Sequence, residues 1–96
     1  MPTYTFDLLS KHFKLFQKEL FQSWKHIQSA TLVQFGNSPY IAEIIICSEL
    51  PKPENPALRE SFTSYAYITN VGDVNVHGAD YFHEVKTWLR KVAMTT

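Results

Sequence analysis

Four histidines (His12, His26, His77 and His83) and one cysteine, Cys47, are the side chains in this 96-residue chain best suited to acid–base, metal or nucleophilic chemistry. His77 and His83, with Asp80 and Glu84 between and after them, have the donor density of a metal site. Their spacing matches no established ligand motif, and a ligand set also needs His77, at a strand end, to turn toward the following helix. Cys47 lies between Ile46 and Ser48 in an isoleucine-rich run. That setting offers neither the exposed thiolate nor the adjacent base of a nucleophile, and it suits a small buried hydrophobe. Asp73 and Asp80 flank His77, yet no serine is placed to complete a triad. The three glycines, Gly36, Gly72 and Gly78, stand apart as turn residues, so no glycine-rich phosphate loop exists. No catalytic residue, metal ligand or cofactor is expected, and the chain reads as non-enzymatic.

Among the elements that position these residues, the longest is Thr5 to Ser29, a stretch free of Gly and Pro that reads as one amphipathic helix. At about 100° per residue, Phe6, Leu9, Phe13, Phe16, Leu20, Trp24 and Ile27 fall on one arc. Ser23 interrupts the heptad, which favours core packing over a long coiled coil. Leu8 and Leu15 widen the apolar surface, leaving extra width for the C-terminal helix or a second subunit. Opposite the seam, Lys11, Lys14, Lys18 and Lys25 form a basic stripe that fits a phosphate backbone or an anionic surface. Lysine is also the ordinary way to solvate a helix.

Composition narrows the classes further. The formal net charge is zero and aromatic content is 15%. A packed core follows from the second figure, and the first selects no polyanionic or polycationic partner globally. A single cysteine cannot form an internal disulfide, which favours a reducing compartment. The N-terminus lacks the apolar run and cleavage site of a signal peptide, and no apolar stretch reaches the roughly 18 residues of a membrane span. A cytoplasmic location is expected, with residues 1–96 as a single domain.

Thr31 to Phe35 and Tyr40 to Ser48 read as strands around the turn formers Gly36-Asn37-Ser38-Pro39. Pairing Phe35 with Tyr40 places Val33 beside Ala42 and Thr31 beside Ile44 on the core face. Leu32, Gln34, Ile41, Glu43, Ile45 and Cys47 then fall on the other face, which is also substantially apolar. Leu50 to Glu60, with Pro51, Pro53 and Pro56, reads as a surface loop. Ser61 to Thr69 and Asp73 to His77 form a hairpin closed by Asn70-Val71-Gly72, with Ile68 beside Val74 and Ala66 beside Val76. Tyr65, Tyr67, Asn75 and His77 occupy its opposite face. Asp80 to Val92 reads as a second helix with Asp80 at its N-cap and Phe82, Val85, Leu89 and Val92 along one side.

The expected fold is α+β: a long N-terminal helix, an antiparallel four-stranded meander and a C-terminal helix, with both helices packed on one face of the sheet. A helix, strands and a helix is also the outline of a double-stranded-RNA-binding domain. The basic cluster expected at the start of the last helix is absent, its place taken by Gly78-Ala79-Asp80. The expected function is a small protein-interaction domain of adaptor, inhibitor or immunity type. It binds a protein partner, or itself as a homodimer, through Leu32, Ile41, Ile45, Tyr65, Tyr67 and His77. The alternative is a nucleic-acid or anionic-surface binder using Lys11, Lys14, Lys18 and Lys25.

Overall fold

The computed structural model describes residues 3–96. The chain runs α1 (Phe6–Ser23), β1 (Ile27–Gln34), β2 (Tyr40–Pro51), β3 (Arg59–Thr69), β4 (Val74–His77) and α2 (Phe82–Met94). The strands form one antiparallel meander in the order β1-β2-β3-β4. This is the α+β layout expected, with the core filled by one face of the sheet and the apolar sides of the two helices.

Helix α1 begins where Thr5 accepts a hydrogen bond from the Leu8 amide at 3.1 Å, a side-chain cap for an otherwise orphan donor. It buries Leu9, Phe13, Phe16 and Leu20. The helix ends at Ser23, six residues earlier than expected at Ser29. Trp24 and Ile27 keep the apolar spacing of a helix, but the chain turns there, with the Ile27 amide donating to the Trp24 carbonyl at 3.3 Å. Ile27 instead enters β1 and is buried from the strand side. Tertiary burial overrides a helical pattern that no Gly or Pro interrupts.

Helix α2 buries Val85, Trp88, Leu89 and Val92. Phe82, expected on that side, is 43% exposed, and Tyr81 just before the helix is buried in its place. Asp80, expected at the N-cap, lies one residue before the observed cap, Tyr81, and its carboxylate accepts from the Phe82 amide at 2.9 Å. Trp88 joins the helices: its ring lies 5.8 Å from Phe13 and 5.1 Å from Phe16, and its indole N–H donates to the His12 carbonyl at 3.3 Å. Tyr4 closes the end of the core, with its hydroxyl donating to the Leu89 carbonyl at 2.8 Å. Burial raises the pKa of that hydroxyl above the usual tyrosine value.

The β3–β4 hairpin has the expected register, with Ile68 opposite Val74 and Ala66 opposite Val76. Gly72 supplies the positive φ of 88° that closes the turn. The β1–β2 hairpin slips by one residue from expectation: Val33 pairs with Glu43 and Leu32 with Ile44. The reason lies in the turn, where the Phe35 amide donates to Ile41 rather than closing on Tyr40, and Ile41 becomes the irregular residue of β2. A one-residue slip exchanges the faces of β1. Leu32 therefore packs against the core, as does Ile41, while Thr31 and Val33 face outward.

The expected loop from Leu50 to Glu60 is shorter than read, because Leu50 pairs with Glu60 and Pro51 with Arg59. Pro51 sits at the end of its strand, where a missing amide is tolerated. The β2–β3 hairpin thus reaches beyond β1 and β4 as a two-stranded arm. Its outer side carries an Arg59–Glu49 contact of 2.6 Å.

Candidate functional site

Side chains alternate across a strand, so the register fixes which residues share the sheet face away from the helices. Three rows cross that outer face. One holds Val33, Glu43, Tyr67 and Asn75; the next holds Thr31, Ile45, Tyr65 and His77; the third holds Ser29, Cys47 and Thr63. Ile45, Tyr67 and Cys47 are half-buried, and Val33 and Tyr65 are each 37% exposed. Ile44 and Ile46, the neighbours of Ile45 on β2, are 0% and 1% exposed on the helix side. No described element covers the outer face, so its apolar area meets solvent in the isolated chain.

Phe35 and Tyr40, at the end of the first hairpin, extend this surface. Their rings meet Tyr67 at 5.2 Å and 5.5 Å, and Tyr67 meets His77 edge-on at 5.8 Å. The Asn75 side-chain amide donates to the Tyr40 hydroxyl at 3.2 Å. Together with Asn37 and Ser38, these residues line a shallow groove of about 300 Å³. The Glu43 carboxylate, across the strands from Tyr67, acts on its hydroxyl and, with desolvation, raises the Tyr67 pKa above the usual tyrosine value. Rings with hydroxyl, amide and imidazole ends give a surface able to bury apolar area while satisfying polar contacts, the chemistry of a protein interface.

Of the six residues expected to bind a partner, Ile45, Tyr65, Tyr67 and His77 come together on this face. Leu32 and Ile41 do not: both pack against the core. Phe35 and Tyr40 were missed as site residues, because the expected closure of Phe35 on Tyr40 set them in line with the core face, and the observed closure of Phe35 on Ile41 brings both rings onto the outer face. Lys11, Lys14 and Lys18 are exposed on α1, whereas Lys25 lies beyond the helix end and is exposed in the turn before β1. The basic row therefore has three members on one helix instead of four. It belongs to the helix layer, away from the outer sheet face.

The histidines are scattered. His77 lies on the outer face, whereas His83 lines a small cleft of about 130 Å³ between α1 and α2 with Glu19 and Glu84. His26 lies 3.5 Å from the Tyr81 hydroxyl and His12 lies 3.4 Å from the Thr95 hydroxyl. One Glu84 oxygen is buried without a hydrogen-bond partner, while Glu19 receives Lys91 at 3.0 Å. Among the described residues, no group of three or more His, Cys, Asp or Glu converges to hold a metal ion. No described helix is long and apolar enough to cross a membrane. Comparison with protein-family models, with curated proteins and with solved structures returns no match.

Proposed function

We propose that this chain is a small non-enzymatic protein-interaction domain, of adaptor, inhibitor or immunity type, that binds a protein surface with the outer face of its sheet. The observation that carries this reading is the segregation of the two faces. Both helices cover one side, and the other keeps Ile45, Tyr65 and Tyr67 with the Phe35–Tyr40 rings against solvent. Apolar area of this kind, rimmed by Thr, Ser and Asn, is stabilised by removal from water when a partner docks.

The lysine row supports the second reading, an anionic partner on the helix layer. Residues 5–25 and 80–96 carry seven Lys and Arg against four Asp and Glu, so a formally neutral chain is positive on its helix side. Lys91 is spent on Glu19, and Lys86 donates to the Gly72 carbonyl at 3.1 Å.

Affinity capture from native extract separates the two readings. The baits are wild type, the double variant Ile45→Glu/Tyr65→Glu, and the triple variant Lys11→Glu/Lys14→Glu/Lys18→Glu. Phosphate contacts weaken steeply with salt and apolar contacts weaken little. The sheet-face reading expects a protein retained at high salt by wild type and the lysine variant, and lost from the face variant. Retention by the face variant with loss from the lysine variant contradicts it.

A further inference from the structure

The outer face has opposite character at its two ends. Arg59, the only Lys or Arg in the four strands, stands at the arm end. Its guanidinium meets the Glu49 carboxylate at 2.6 Å and donates to the Glu49 carbonyl at 3.2 Å, and with side chains 49% and 31% exposed the ion pair is screened by solvent and contributes little. At the far end the Phe35, Tyr40 and Tyr67 rings have centroids 5.2 to 6.2 Å apart and planes tilted by 46° to 55°. They form the walls of a cup instead of a stack. The point equidistant from these three centroids is about 3.3 Å from each, so a cation up to about 5 Å above it stays within the roughly 6 Å reach of all three rings. Glu43 stands beside Tyr67 and has no ion-pair partner among the described residues. Arg59 cannot enter its own cup, because eight residues of β3 place Tyr67 about 26 Å away.

We propose that a second copy of this chain occupies the outer face, packed sheet to sheet about a two-fold axis that crosses the strands at the Cys47–Thr63 row, so that Arg59 of each copy enters the Phe35–Tyr40–Tyr67 cup of the other beside Glu43. The inference rests on the reading of this face as a protein-binding surface and adds its occupant and orientation. Thr63 lies four residues from both Arg59 and Tyr67 on β3. A two-fold at that row therefore superposes the cation end on the cup end and makes the contact twice, as an isologous interface requires. Guanidinium stacks on aromatic faces and pairs with carboxylate at once, which lysine does less well. The same operation lays Cys47 over its own copy across facing sheets about 10 Å apart. Strands about 4.8 Å apart, overlapping over Glu43–Pro51, bury on the order of 1,000 Å² in all, the lower bound for a specific interface. The lysines of α1 lie on the opposite side and do not oppose the approach.

The test is the mass of the full chain by sedimentation velocity across concentration, together with cross-linking of Cys47, the sole cysteine, by a short bismaleimide. Wild type should form a reversible dimer with Kd on the order of 10 µM and cross-link through Cys47. Arg59→Glu and Glu43→Arg should each weaken it by about tenfold or more, and the two together should restore most of the affinity. Circular dichroism checks folding, and Arg59→Gln replaces Arg59→Glu if the reversal unfolds the arm. A wild type monomeric at every concentration overturns the proposal, as does a dimer indifferent to Arg59 and Glu43 substitutions and not cross-linked through Cys47. If such a monomer still captures another protein through the face, this inference falls and the reading of the face stands; loss of both takes down both.

Discussion

Ile44 and Ile45 are adjacent, identical in chemistry and on opposite faces of β2, so replacing each by alanine isolates what each face contributes. Ile44 is 0% exposed between the sheet and the helices. Its truncation removes buried methyl groups and leaves a cavity, costing about 3 kcal/mol within a usual range of about 2 to 5. A domain of this size has about 5 to 15 kcal/mol in total, and each kcal/mol lowers Tm by about 4 to 8 °C. The Ile44→Ala variant should therefore melt roughly 12 to 24 °C lower. Ile45 is half-buried with no described element above it. Its truncation should cost only about 1 kcal/mol, since part of its surface is already wet and no cavity is enclosed. Loss of strand propensity is common to both variants, so their difference reports burial. Urea unfolding followed by far-ultraviolet circular dichroism, in protein dilute enough to exclude association, gives both numbers. Equal losses would refute the placement of Ile45 on an open face, and a larger loss at Ile45 would refute the register itself.

Three further outcomes follow from local geometry. Gly78→Ala should destabilise by about 2 kcal/mol or more, because φ is +91° and an added Cβ would lie 2.5 Å from the Thr63 carbonyl oxygen, whereas Gly36→Ala, with nothing within 4 Å, should be close to neutral in the same unfolding assay. Tyr4→Phe should cost about 1 kcal/mol at neutral pH by loss of the hydrogen bond to Leu89. The wild-type hydroxyl has a folded pKa raised above 10.0, so its contribution is complete below that pH and is lost as pH rises through the raised value; the phenylalanine variant should show a flatter alkaline limb in thermal melts. Ultraviolet titration should show Tyr67 ionising above the usual tyrosine range, and Glu43→Gln, which removes the carboxylate that opposes ionisation, should bring it down. An unchanged midpoint in that variant would contradict the Glu43–Tyr67 contact.

The fold class was legible because period-2 alternation, turn formers and two apolar helical stripes all pointed one way. The β3–β4 register was legible for a chemical reason: Gly72 fixes where the turn closes, and one choice alone keeps Ile68, Ala66, Val74 and Val76 on one side. The first hairpin lacks such a marker, since Gly36-Asn37-Ser38-Pro39 admits closure on Tyr40 or on Ile41, and both faces of β2 are apolar enough to accept either. That ambiguity moved Leu32 to the wrong side. Trp24 and Ile27 carried the helix too far, because their spacing fits a helix while their burial requires a strand. On the outer face, Ile45, Tyr65, Tyr67 and His77 were reachable from alternation. The cup of Phe35, Tyr40 and Tyr67 depends on how the first turn folds over, which no spacing encodes.

The most direct test of the outer face as a binding surface is hydroxyl-radical footprinting of wild-type protein, dilute and alone, then in its complex, whether with its own copies at high concentration or with a captured protein. Oxidation of Ile45, Tyr65 and Tyr67 should fall in the complex, while Leu15 and Phe21, 45% and 39% exposed on α1, should react as before. Protection of Leu15 and Phe21 with Tyr65 and Tyr67 unchanged would place the interface on the helices and contradict the account.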